Sequence, residues 1–140
     1  MRKKMLVIED EKIDAISIGQ VLKQQFPGIE LEVVTNGEQA LDWIQRFRPG
    51  ANEILSLVLM DLTIPRMSGL DLISEFKGHQ HLSGVPIVIL SGSESPQAIN
   101  AAYKSGACGY VVKPNTAAEM RGVLRKTLDY WLDANRLPSA

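Results

Sequence analysis

The chain has a single cysteine, Cys108, in 140 residues. One thiol excludes an internal disulfide, and with no second cysteine or nearby histidine it offers zinc little. Its expected place is that of a small buried hydrophobe. Long apolar runs are missing as well. The first one, Met5 to Ile8, is too short for the hydrophobic region of a signal peptide. No stretch approaches the roughly 20 residues a helix needs to cross a bilayer. Charge of one sign is not in excess either. Fifteen basic and sixteen acidic side chains give a net −1 with no lysine or arginine block, so neither nucleic acid nor an anionic membrane is an expected partner. There is no internal repeat and no low-complexity segment. A cytoplasmic location is expected.

What remains is ordinary globular material, 45% hydrophobic and 22% charged, and long enough for one domain with a real core. A single domain over 1–140 is expected, with its core at about 4–132 and a tail, 133–140, too short for a linker plus an output module. Short apolar runs alternate with amphipathic stretches. The predicted strands are Met5–Ile8, Ile29–Thr35, Leu55–Met60, Pro86–Leu90 and Gly109–Val112. Between them Ala15, Ile18, Leu22 and Phe26 fall at helical spacing, as do Leu41 and Ile44. Late in the chain Met120, Val123, Leu124, Leu128, Trp131 and Leu132 share one helix face. "TNGE" and "SGSESPQ" read as strand ends passing into helix starts, with Pro96 suited to a first turn.

Five strand–helix units in regular alternation predict a doubly wound (βα)5 α/β fold around a parallel sheet. Strands one and four are continuously apolar and strand three is interrupted only by Ser56, as suits buried middle strands. In strand two Ile29, Leu31 and Val33 alternate with Glu30 and Glu32, as in a half-exposed edge. Right-handed crossovers then favour the flavodoxin-like order 2-1-3-4-5.

Ligands of such sheets bind beyond the carboxyl ends of the strands. The polar residues at those ends are Glu9 and Asp10 after strand one, Asp61 after strand three, Ser91 after strand four and Lys113 after strand five. Taken singly, each has an ordinary explanation. The acids at 9–11 suit a helix start, Asp61 a turn, Lys113 a solvated strand end. Taken together they converge. Strands one and three lie about 4.8 Å apart, and two carboxylates about 5 Å apart at an effective dielectric of 20 repel by roughly 3 kcal/mol. Such a group takes up protons or a cation, and an all-oxygen donor set suits a hard ion such as Mg²⁺. A lysine and a hydroxyl beside it suit a phosphoryl group, which Asp61 could accept as a nucleophile.

The set "VIEDE", "LVLMDLTIPRMSG", "VILSGS" and "GYVVKP" resembles the receiver domain of bacterial two-component response regulators over nearly the whole chain. The resemblance implies that Asp61 takes a phosphoryl group from a phosphohistidine on a sensor histidine kinase or a phosphotransfer protein. It implies Mg²⁺ held by Glu9, Asp10, Asp61 and the backbone carbonyl of Thr63. Ser91 and Lys113 are then expected to bind phosphoryl oxygens, and Tyr110 matches the aromatic that swings inward as Ser91 is drawn to the phosphoryl group. The Lys113–Pro114 bond is a candidate cis peptide. Output is expected as binding of a downstream protein, or of a second copy, on the helix 4–strand 5–helix 5 face. "RPGANEILS" and "LDYWLDA" are similar to stand-alone receivers serving phytochrome-type kinases.

The sequence departs from the family pattern in places. Glu9 replaces the commoner Asp, Ser91 the commoner Thr and Gly92 a frequent Ala, while Thr63 and Ser93 occupy positions that, by the resemblance, tune autodephosphorylation in the family. Three other readings compete. A Mg²⁺-dependent aspartyl phosphohydrolase usually needs an acid or similar group where Thr63 stands, and a longer chain. A flavodoxin-type nucleotide binder needs a phosphate-wrapping loop where "EDE" stands. A phosphorylation-independent receiver-like scaffold would not need the five-residue set intact. The His79–His81 pair lies apart from the cluster and lacks a third ligand. Trp43 and Trp131 fit packing roles.

Overall fold

A computed structural model describes residues 2–50 and 52–138. The elements follow in strict alternation: β1 (Arg2–Ile8), α1 (Lys12–Gln25), β2 (Glu30–Val34), α2 (Gly37–Arg46), β3 (Glu53–Met60), α3 (Gly69–Gly78), β4 (Ile87–Ser91), α4 (Pro96–Ser105), β5 (Gly109–Val112) and α5 (Ala117–Asp129). A π-helical turn, Tyr130–Ala134, continues α5. All strand pairs are parallel, in the order β2-β1-β3-β4-β5, the flavodoxin-like arrangement that the alternation predicts.

Each helix is placed by a local signal. Asn36 caps α2 by accepting from the Gln39 N–H, and Ser95 caps α4 from the Ala98 N–H with Pro96 in the first turn. Gly106, at φ 121°, ends α4 in a conformation that disfavours any residue with a Cβ. Helices α1 and α5 cover one face of the sheet, where Ile18, Val21 and Leu22 meet Met120, Leu124 and Leu128 over Met5, Val7, Leu57 and Leu59. Helices α2, α3 and α4 cover the other, with Phe76 and Leu72 fully buried against Leu6, Ile8 and Val58. Burying a side chain the size of Phe76 stabilises by about 1.5–3 kcal/mol. A bulge at Ser56 lets Leu55 face the same side as Val58 and Met60, although simple alternation would turn it away.

Several expectations need correction. β1 and β3 begin earlier than the apolar pattern, at Arg2 and Glu53, because the ladder between them satisfies backbone groups whatever the side chains are. β2 is shorter than expected, so Ile29 falls just before it; Ile29 and Leu31 pack under α1, with Gly19 over Leu31, but Val33 lies beyond that cover and is exposed. Cys108 is exposed, not buried, because the turn at Gly106 sends Ala107 inward in its place. No peptide bond among the described residues is cis, so Lys113–Pro114 is trans, the form X–Pro bonds favour by about 0.5–1 kcal/mol. The end of the tail, 139–140, lies outside the described residues. Among them no helix is long and apolar enough to cross a membrane.

Candidate functional site

The site lies at the carboxyl ends of β1, β3, β4 and β5, where the central strands β1 and β3 deliver their last residues side by side. Asp61 follows β3 and its N–H donates to the Ile8 carbonyl at 3.0 Å, which ties it directly to β1. Glu9 follows β1 and is fixed by its own N–H to the Val34 carbonyl at 3.0 Å. Lys113 follows β5, its N–H donating to the Ser91 carbonyl at 2.8 Å. Ladder hydrogen bonds, rather than side-chain chance, thus set the backbone positions of these groups.

The Lys113 ammonium is the hub. Its Nζ donates to Glu9 Oε1 at 2.6 Å, to Asp14 Oδ2 at 2.8 Å and to Asp61 Oδ2 at 2.9 Å. Burial alone would lower the Lys113 pKa, but the hydrogen bonds it donates to Asp14, Glu9 and Asp61 outweigh that and hold the ammonium well above its ordinary range. Glu9 is pushed up despite that ion pair. Burial is the main cause, the bonds to Lys113 and the Glu11 N–H oppose it, and the Asp61 charge adds to it. One ammonium cannot neutralise Glu9, Asp14 and Asp61 together, so the pocket keeps surplus negative charge.

Asp10 is exposed at the mouth of the site. One carboxylate oxygen each of Glu9, Asp10 and Asp61 lies within 4.8 Å of the others. With oxygen donors only and surplus negative charge, this trio fits a hard divalent cation such as Mg²⁺. The Thr63 N–H donates to Asp61 Oδ1 at 3.0 Å, so the loop after β3 folds back over the carboxylate. Gly69 holds that loop tightly against α3: a Cβ there would come within 2.9 Å of the Leu62 Cα and O.

Ser91 is buried at the end of β4, and its Oγ accepts from the Ser93 N–H at 3.3 Å. Tyr110 is half-buried on β5 and packs against the α2–α3–α4 core. Its hydroxyl donates to the Ser93 carbonyl at 2.8 Å. The loop between β4 and α4 is therefore held from below by Ser91 and from the side by Tyr110. A Cβ at Gly92 would meet nothing within 4 Å, so an alanine there would fit unchanged.

The structure thus gathers Glu9, Asp10, Asp61 and Lys113 directly, and sets Ser91 and Tyr110 on the adjoining strands. Asp14 is the member that sequence reasoning missed. It stands in the first turn of α1, and the only hint of it is its distance of one helical turn from Asp10. His79 and His81 lie at the far end of α3, away from the cluster, with ring centroids 5.7 Å apart.

Comparison with known proteins identifies the family and the fold. The family described as response regulator receiver domain matches residues 5–125. The chain is 27% identical over 139 residues to response regulator Rcp1 of a Synechocystis species, covering 99% of this chain and 95% of that one. Among solved structures it is similar to the phosphorylated cyanobacterial phytochrome response regulator RcpA, with a TM-score of 0.89 and 26% identity over 99% of this chain and 100% of that one. It is also similar to a Mn²⁺-bound form of response regulator Rcp1, with a TM-score of 0.86 and 26% identity over 98% and 99%.

Proposed function

The chain belongs to the response regulator receiver family, and from that premise we infer that Asp61 is its phosphoacceptor. The observation that carries the reading is the Asp61 carboxylate itself. It is buried at a strand end, within 2.9 Å of the Lys113 ammonium and beside Glu9 and Asp10. One Asp61 oxygen attacks the phosphorus of the donor. The P–O bond forms as the bond from phosphorus to the donor's histidine nitrogen breaks, the imidazole leaves, and an acyl phosphate remains on the protein. Lys113 donates to one phosphoryl oxygen and the Ser91 hydroxyl donates to another.

Glu9, Asp10, Asp61 and the Thr63 carbonyl are the residues that would hold Mg²⁺, with the Mn²⁺-bound relative in support. When bound, the ion neutralises charge on the transferring phosphoryl group. The donor is a histidine kinase or phosphotransfer protein, as for receiver domains generally. Once the Ser91 hydroxyl turns to the phosphoryl group, it stops accepting from Ser93, and the loop that Tyr110 holds is free to shift. The response is read by a downstream protein or a second copy on the α4–β5–α5 face, in the cytoplasm, with no nucleic acid in the event. Residues 1–140 act as one receiver domain, since both cores share one sheet.

The test is incubation with acetyl phosphate, with and without Mg²⁺, read by intact mass. A single Mg²⁺-dependent phosphoryl adduct on the wild type, absent from Asp61→Asn, is expected. An equal adduct on the variant would overturn the assignment.

A further inference from the structure

All three hydrogens of the Lys113 ammonium are committed, to Glu9, Asp14 and Asp61 at 2.6, 2.8 and 2.9 Å. An ammonium has three donors and no acceptor, so none is free for an oxygen that arrives with a phosphoryl group. Lys113 must give up a carboxylate to take one. The three carboxylates are not equivalent. The Glu9 and Asp61 side chains are 2% and 9% exposed, whereas Asp14 is 23% exposed. Water can therefore resolvate Asp14 most readily when it is released. Glu9 and Asp61 follow strands and are tied by backbone bonds to neighbouring strands, while Asp14 reaches in from the first turn of α1. It also adds negative charge to a pocket that must admit an anion.

We propose that Asp14 is a positioning residue that acts through Lys113: it competes with the phosphoryl group for the ammonium and so restrains phosphorylation of Asp61. This rests on the reading of Asp61 and Lys113 given above. It assigns to Asp14 a role opposite to that of Glu9. Glu9 keeps Lys113 in the pocket, and Asp14 sets how readily the lysine turns to an anion. Removing the Asp14 charge while keeping its shape frees one donor and removes one repulsion. The gain is discounted because Asp14 is partly solvated.

Fluoroberyllate, an anion that mimics a phosphoryl group on an aspartate, provides the probe. It is titrated with Mg²⁺ onto the intact wild type and onto Asp14→Asn, Asp14→Ala and Asp14→Glu, with bound fluorine followed by ¹⁹F NMR. Asp14→Asn and Asp14→Ala are expected to bind about tenfold more tightly, equivalent to about 1.4 kcal/mol. Asp14→Glu, which keeps the charge, is expected to return towards the wild-type value. A purely structural role for Asp14 would weaken binding instead. Equal or weaker binding by the two uncharged variants overturns the proposal and leaves the reading of Asp61 intact, because the wild type still binds. If the wild type binds no fluoroberyllate, the reading of the site falls and the role of Asp14 falls with it.

Discussion

Replacing Lys113 by methionine, similar in length and without charge, probes the balance of charge on which the site is built. In the wild type one ammonium, only 12% exposed, faces Glu9, Asp14 and Asp61. Without it two buried carboxylates and a partly buried one lose their counter-charge, and the nearest oxygens of Glu9, Asp10 and Asp61 lie within 4.8 Å of one another. Two unit charges at about that separation repel by roughly 3.5 kcal/mol at an effective dielectric of 20. The desolvation of the lysine is relieved at the same time, and the acids can take up protons. The net loss expected for breaking such a buried pair is about 3–5 kcal/mol near pH 7.5 in the absence of divalent cation. With a urea slope of about 2 kcal/mol/M, the unfolding midpoint falls by roughly 2 M.

The pH dependence of that loss has a definite sign. Burial raises Glu9 above its ordinary value of 4.5 and Lys113 opposes the rise, so removing Lys113 lifts Glu9 further. An acid whose folded value exceeds its unfolded one takes up protons on folding, and stability falls as pH rises through the folded value. The deficit of the variant is therefore largest at neutral pH and shrinks as pH falls towards the folded value of Glu9. Lys113 itself is raised in the wild type, so its contribution is complete below about 10.5 and is lost as pH rises through its higher folded value. Millimolar Mg²⁺ should restore much of the lost stability. Urea denaturation by circular dichroism at several pH values, with and without Mg²⁺, reads all of this. A variant within about 1 kcal/mol of the wild type without Mg²⁺, or a deficit unmoved by Mg²⁺, would refute the reasoning, since a buried pair should cost about 3–5 kcal/mol to break.

Gly69→Ala forces a Cβ against the Leu62 backbone at 2.9 Å. It should cost about 1–3 kcal/mol of stability in urea denaturation, with slower phosphorylation because that backbone adjoins Asp61. Tyr110→Phe removes the hydrogen bond to the Ser93 carbonyl. It should cost about 0.5–1.5 kcal/mol and raise amide hydrogen exchange in the loop between β4 and α4 while leaving β1 and β3 unchanged.

The fold was legible because its strands announce themselves. Apolar runs at 5–8, 55–60 (broken only by Ser56) and 86–90 end up in the middle of the sheet, and the mixed run at 29–35 at an edge. Asp61, Glu9 and Lys113 were legible for the same reason, since polar residues that directly follow parallel apolar strands all lie at the carboxyl end of the sheet. Asp14 was not. A lone acid in the first turn of a helix is usually accounted for by the helix dipole, and no period in the sequence records how α1 is rotated against the strand ends. Cys108 was misplaced because burial statistics for cysteine do not register the turn at Gly106 that decides which neighbour faces inward. The Lys113–Pro114 isomer could not be read from residue types alone, given the roughly 0.5–1 kcal/mol that separates the two forms of an X–Pro bond.

The central claim is that phosphorylation falls on Asp61. Reduction of the acetyl phosphate-treated protein with borohydride converts an aspartyl phosphate to homoserine, which peptide mass spectrometry then locates. Homoserine is expected at position 61 alone, only in samples that contained Mg²⁺, and lost in Lys113→Met. Homoserine at Asp10 or Asp14, or a borohydride-stable phosphoester on Ser91, would contradict it.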